Sequence, residues 1–230
     1  MAKQNPYNPP KVYIGGNPRM ALLFLLDTSA SMQDEDRIGA LNAGLNRFKE
    51  EVCENDDTKR ILDVAIVRFD KSYEVVQEFR PVEDMMHVNL PANGDATIYS
   101  SAIRKALEMV NEQTRLYKEH TAPYKPWIVF ITDGEPHDDI TDVAEEIRYL
   151  MEKRKVSFRS LGVGEYKSKP LHTLSGQNVM RLVGTDFTTF FDWVNQSMYS
   201  VSQSSPGDDP TAVRLSGNVT IDPYDTSSMR

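Results

Sequence analysis

A chain of 230 residues with 40% hydrophobic content suits one sizeable α/β core with tails and is short for two domains. Its 26 Lys and Arg stand against 34 Asp and Glu, a formal charge of -8 that argues against a general nucleic-acid binder. No apolar run reaches membrane-spanning length, and the opening MAKQNPYNPP has no apolar signal core. With a single cysteine, Cys53, there is no intrachain disulfide and no thiolate metal cluster, so a reducing, cytoplasmic location is expected.

Residues 1–19, with several prolines and Gly15-Gly16, predict an irregular arm in which 12–14 (VYI) could form a short edge strand. The apolar run from Met20 to Leu26 has no polar break and predicts a buried, central strand, ending abruptly at Asp27. Ile38, Leu41, Leu45, Phe48 and Val52 recur at threes and fours, which predicts one helix between Asp34 and Glu54 with a single buried face. Cys53 falls on that face as a small core residue rather than a nucleophile. Ile61–Phe69 and Tyr73–Phe79 read as strands only three residues apart, a gap that permits a hairpin and forbids a helical crossover. The sheet is therefore expected to be mixed, with one antiparallel edge strand.

Residues 80–97 form a loop long enough to suggest function. Within it, Met85 and Met86 read either as an apolar lip for a partner or as a small cluster under the loop. A helix follows from Ile98 to about His120, then the strand Trp127–Thr132, which also ends in an acid, Asp133. Further elements are a helix Ile140–Lys153, a strand Val156–Val163, a helical turn Pro170–Leu174, a short strand Val179–Leu182 and a helix Phe187–Tyr199. From Ser200 the periodicity fades. SVSQSSPGDDP reads as a linker, and LSGNVTI as either a disordered tail or a strand docked elsewhere. Alternating strands and helices imply a three-layer α/β domain over residues 20–200, preceded by the arm 1–19 and followed by a linker and tail, 201–230.

Asp27, Ser29 and Ser31 could be no more than turn and capping residues. The rest of the chain adds to them. Two core strands end in aspartate, Asp27 and Asp133, and the Asn93-Gly94-Asp95-Ala96-Thr97 loop lies just before a helix. If those strands are neighbours, Asp27, Ser29, Ser31, Thr97 and Asp133 converge as two carboxylates and three hydroxyls. Such oxygen donors match Mg²⁺ or Mn²⁺ and suit Zn²⁺ or copper poorly.

Asp27-Thr28-Ser29-Ala30-Ser31 resembles the DxSxS signature of von Willebrand factor A (vWA) domains, and Thr97 and Thr132-Asp133-Gly134 resemble the other two parts of that family's metal-ion-dependent adhesion site. The resemblance covers roughly residues 20–200. It implies a Rossmann-like, mostly parallel open sheet of about six strands with helices on both faces. It also implies direct metal contacts from Ser29 and Ser31, mainly water-mediated ones from Asp27 and Asp133, and a direct one from Thr97 in the liganded form. One coordination position would be left for a partner protein's Asp or Glu. Ala30 and Ala96 stand where relatives often have glycine, and neither change removes an oxygen ligand. FLLDTSASM, KPWIVFITDGEPHDD and SVSQSS are similar to bacterial TerY-like stand-alone A domains of tellurium-resistance and stress-response clusters. That similarity implies scaffolding of protein partners, including kinase- or phosphatase-like ones, with the oligomeric state left open.

The acids and histidine after Asp133, namely Glu135, His137, Asp138, Asp139, Asp142, Glu145 and Glu146, read mostly as a solvated face and helix N-terminal charge. Asp138 or Asp139 is the expected cap of the helix that follows, and His137 is expected to be merely exposed. The main rival is a metal-dependent hydrolase or phosphotransferase, but no nucleophile or base stands beside the site, and there is no glycine-rich lysine loop for a nucleotide. A third reading is a structural ion that only stabilises loops.

Overall fold

The computed structural model describes residues 16–208, 210 and 213–223. All eight residues of the first strand, β1 (Met20–Asp27), are buried. A strand with no exposed face belongs mid-sheet with helices on both sides, and that requirement sets the architecture. The other strands are β2 (Leu62–Phe69), β3 (Tyr73–Pro81), β4 (Trp127–Thr132), β5 (Ser157–Val163), β6 (Val179–Leu182) and β7 (Val219–Ile221). They hydrogen-bond in the order β3-β2-β1-β4-β5-β6-β7. The five inner strands run parallel, with β3 antiparallel to β2 at one edge and β7 antiparallel to β6 at the other.

The helices are α1 (Arg37–Cys53), α2 (Asp56–Ile61), α3 (Tyr99–Lys118), α4 (Thr141–Glu152), α5 (Ser168–Ser175) and α6 (Thr188–Ser202). Side chains alternate across β1, so Leu22, Phe24 and Leu26 pack with Leu45 and Phe48 of α1 and Phe191 of α6. Leu23 and Leu25 face the other way, among Ile103 and Val110 of α3 and Val143 and Ile147 of α4. Each such side chain contributes about 1.5–3 kcal/mol by leaving water. This is the three-layer, mostly parallel α/β fold that the sequence predicts.

The differences have local causes. The expected helix from Asp34 begins only at Arg37, because Glu35 (φ 52) and Asp36 (φ 57) are left-handed and break a preceding 3-10 turn from α1. The six-residue α2 is an addition, nucleated by Asn55, whose side chain accepts the Thr58 N–H. The helical turn at Pro170–Leu174 is the longer α5. Of the two readings for LSGNVTI, the docked strand is the one found, so the sheet gains a second antiparallel edge strand in β7. Met85 is buried in the core while Met86 is exposed, so the two do not form a common lip. The possible edge strand at 12–14 lies outside the described residues. No helix among the described residues is long and apolar enough to cross a membrane.

Candidate metal centre

β1 and β4 are parallel neighbours, with Leu26 opposite Ile131. Their carboxyl ends therefore place Asp27 and Asp133 side by side, where open α/β sheets present binding residues. Asp27 is fully buried; its Oδ1 accepts the Ser29 N–H at 2.8 Å and its Oδ2 accepts the Thr132 hydroxyl at 2.5 Å. Loss of hydration outweighs those two donors and pushes the Asp27 pKa up to about 6.

The two serines of the turn complete a chain of oxygens. Ser29 Oγ lies 3.1 Å from Ser31 Oγ, and Ser31 Oγ donates to Asp133 Oδ1 at 2.7 Å. The other Asp133 oxygen accepts from Arg37 Nη1 at 2.9 Å. This pair explains the left-handed residues before α1, which return the chain so that its first helical residue reaches Asp133. Gly164 clears the space, since a Cβ there would lie 2.7 Å from the Arg37 guanidinium carbon.

The Thr97 loop is tied to both neighbours. Asn93 and Gly94 N–H groups donate to the Thr28 carbonyl at 3.2 Å, Ala30 N–H to the Gly94 carbonyl at 2.9 Å, and Ile98 N–H to the Asp70 carbonyl at 2.7 Å. Only glycine fits at 94, because a Cβ would stand 2.1 Å from that of Asp70. Thr97 and His137 exchange two bonds: Thr97 N–H donates to His137 Nδ1 and His137 N–H to the Thr97 carbonyl, each at 2.9 Å. Thr97 Oγ1 and Asp27 Oδ2 flank Gly134, 3.5 and 3.7 Å from where its Cβ would be.

All five oxygen residues read from the sequence thus meet at one place. Sequence reasoning missed five supports. Arg37 was hidden inside the longer expected helix. Thr132 bonds Asp27, and Tyr99 in turn bonds the Gly134 carbonyl at 3.0 Å. His137 is exposed as expected, yet its ring holds the Thr97 backbone. Asp138 caps α3 rather than α4, its oxygens accepting the Tyr99 and Ser100 N–H groups at 2.9 Å each, while Asp139 serves Thr141. The partners of His137 and Asp138 lie about 40 residues away in sequence, beyond the reach of any local capping signal.

Among the described residues no group of three His, Cys, Asp or Glu side chains is placed to hold a metal ion. Hydroxyls must then supply much of any inner shell here. One carboxylate is already matched by a guanidinium, and the other, Asp27, is buried with no cation paired to it among the described residues. That donor set fits a hard divalent ion, which would compensate the Asp27 charge.

Fold and site together define an open-sheet domain with a cluster of oxygen donors at the ends of its central strands. A family model for the von Willebrand factor type A domain matches residues 21–196, and the chain belongs to that family. No curated protein matches the chain in sequence. Among solved structures it resembles a von Willebrand factor type A protein from Catenulispora acidiphila, with 14% identity, a TM-score of 0.60, and 80% of this chain and 43% of that one covered. The pilus adhesin SpaC from Lactobacillus rhamnosus GG is similar at 13% identity and a TM-score of 0.65, with 80% and 31% covered. Proximal thread matrix protein 1 from the mussel byssus, in a structure with a zinc-occupied MIDAS motif, gives 16% identity and a TM-score of 0.50, with 82% and 46% covered. The chain spans less than half of each of these structures, and at such identities the likeness is one of fold.

Proposed function

We propose that this domain is a divalent-cation-dependent protein-interaction module. Ser29, Ser31 and Thr97 would hold Mg²⁺ or Mn²⁺ through hydroxyls, Asp27 and Asp133 would supply charge from behind, and a partner's Asp or Glu would complete the site. The observation that carries this reading is the Ser29–Ser31–Asp133 oxygen chain beside buried Asp27. Mostly neutral donors leave an ion's charge poorly quenched, so an external carboxylate is attracted to it. A binding role is favoured over hydrolysis because the nearby imidazole, His137, already uses Nδ1 to accept the Thr97 N–H.

The finer reading rests on the sequence resemblance to TerY-like domains: a cytoplasmic scaffold in a bacterial stress-response or tellurium-resistance assembly, with kinase- or phosphatase-like partners among the candidates. The test is an affinity pull-down from native lysate in Mg²⁺ and in EDTA, with wild type and Thr97→Ala. A protein retained only by wild type in Mg²⁺ supports metal bridging. Equal retention in all conditions, with metal binding verified by calorimetry, would leave the ion a structural role.

A further inference from the structure

At the opposite end of the sheet, roughly 20 Å along β4 from Asp133, a cavity of about 260 Å³ opens between the starts of β4 and β5, helix α6 and the segment after it. Its walls include the indoles of Trp127 and Trp193, both largely buried, together with Val201 and Val213. Arg159 of β5 also lines it, with its guanidinium carbon 4.3 Å from the centre of the Trp127 ring and 5.4 Å from that of Trp193.

Among the described residues no carboxylate pairs with Arg159, and its buried Nε has no hydrogen-bond partner. Asp208 lines the same cavity but makes no ion pair with it; its carboxylate accepts the Ser205 N–H. The guanidinium therefore meets ring faces where an arginine ordinarily meets an acid. Burial alone pushes its pKa down to about 10, which leaves it charged at neutral pH. In a chain of net charge -8, a largely buried arginine that lines a cavity and has no acid partner among the described residues is unexpected. The adjoining groove adds to the local positive field, with Lys118, Lys153 and Lys155 along it.

We infer that this cavity binds a small organic carboxylate, with its acid group on the Arg159 guanidinium and its apolar body against Trp127, Trp193, Val201 and Val213. A planar fork of N–H donors matches a carboxylate bidentately. Lys125, Ser157, Ser197, Ser204 and Asp208 also line the cavity, and with the Asp208 carboxylate present a monoanion with a hydrocarbon part suits Arg159 and the two indoles better than a phosphate dianion. The volume equals roughly nine water-sized spaces, enough for a short-chain or single-ring acid.

Trp127 and Trp193 are the chain's two tryptophans, so intrinsic fluorescence reports on this cavity. The full chain, kept in EDTA so that the metal site plays no part, is titrated with hexanoate and, separately, with hexanamide. A saturable change with hexanoate and none with hexanamide is expected. Arg159→Lys should weaken it roughly tenfold or more by losing the fork, and Arg159→Met should abolish it. The inference is overturned by a flat hexanoate titration, by an equal response to hexanamide, or by an Arg159→Met protein that titrates like wild type. If Arg159→Met is unfolded by circular dichroism, the hexanoate–hexanamide contrast in wild type and the Arg159→Lys affinity decide the matter.

Discussion

Replacing Arg37 by Gln should strengthen Mg²⁺ binding while weakening the metal-free fold. The side chains of Asp27 and Asp133 carry two negative charges against one positive charge on Arg37, and the substitution removes that positive charge. Two unit charges 4 Å apart interact by about 1 kcal/mol in water and about 4 kcal/mol at an effective dielectric near 20. A divalent ion about twice as far from the guanidinium feels the same energies. The Arg37 side chain is 11% exposed and that of Asp133 is 0% exposed, so an intermediate value applies. Relief of about 1.5–3 kcal/mol corresponds to roughly ten- to hundredfold tighter binding. Against this, Arg37 donates a charge-assisted bond to Asp133, worth about 1.5–3 kcal/mol to the apo fold. The two effects separate in the measurement: titration calorimetry with MgCl₂ reads the first, and thermal melting in EDTA reads the second. Magnesium affinity in Arg37→Gln equal to or below that of wild type would refute the reasoning. It would mean that holding Asp133 in place matters more than the repulsion.

Thr97→Ala should leave the melting temperature in EDTA within a few degrees of wild type while abolishing Mg²⁺-dependent partner retention, because the Thr97 backbone keeps its two bonds to His137. The Asp27 pKa of about 6 lies above its ordinary 3.8, so the folded metal-free chain holds that proton more tightly than the unfolded one. Its stabilising contribution, about 3 kcal/mol, is therefore complete below about pH 4 and lost as the pH rises through 6. Urea unfolding in EDTA should show wild type losing stability relative to Asp27→Asn over that interval, and a flat difference would contradict it. Asp138→Ala removes the acceptor for two N–H groups at the start of α3 and should cost about 1 kcal/mol, with faster amide exchange at Tyr99 and Ser100. Gly94→Ala forces a Cβ against Asp70 and should cost about 1–3 kcal/mol in chemical denaturation, with weaker Mg²⁺ binding as the Thr97 loop shifts.

What could be read from the sequence was what depends on neighbours in the chain. The unbroken apolar run before Asp27 identifies a central strand, because only a strand buried on both faces tolerates it. The three-residue gap after Phe69 likewise leaves β3 no option but to turn back on β2. Asp27 and Asp133 could be paired in advance because each closes a core strand. The start of α1 was not legible, since Asp34, Glu35 and Asp36 resemble the acidic opening of a helix. Their left-handed turn makes sense only once Asp133, about 100 residues on, is seen receiving Arg37. β7 is of the same kind: three residues with no strong period of their own, ordered by an exposed edge of β6.

The two arginines also show how one residue type takes opposite roles at the two ends of a parallel sheet. At the carboxyl end Arg37 is matched to Asp133, and the turn and helix that follow Asp133 carry Glu135, Asp139 and Asp142, the last 3.8 Å from Arg104. Should those acids act as a negative collar, a partner's carboxylate would have to be framed by basic residues. At the amino end Arg159 has aromatic rings for neighbours, and Lys118, Lys153 and Lys155 lie in the next groove. A lone carboxylate approaching this end meets more positive than negative charge, with Asp208 the acid that lines the cavity among the described residues. Salt should therefore act on the two encounters differently: it screens the collar that opposes an acid at the metal end and the lysines that attract one at the other. Raising ionic strength would then weaken hexanoate binding at Arg159 while relieving the collar's repulsion of a carboxylate at the metal end. A parallel loss at both ends would mean that the acids beyond Asp133 do not shape the field at its site.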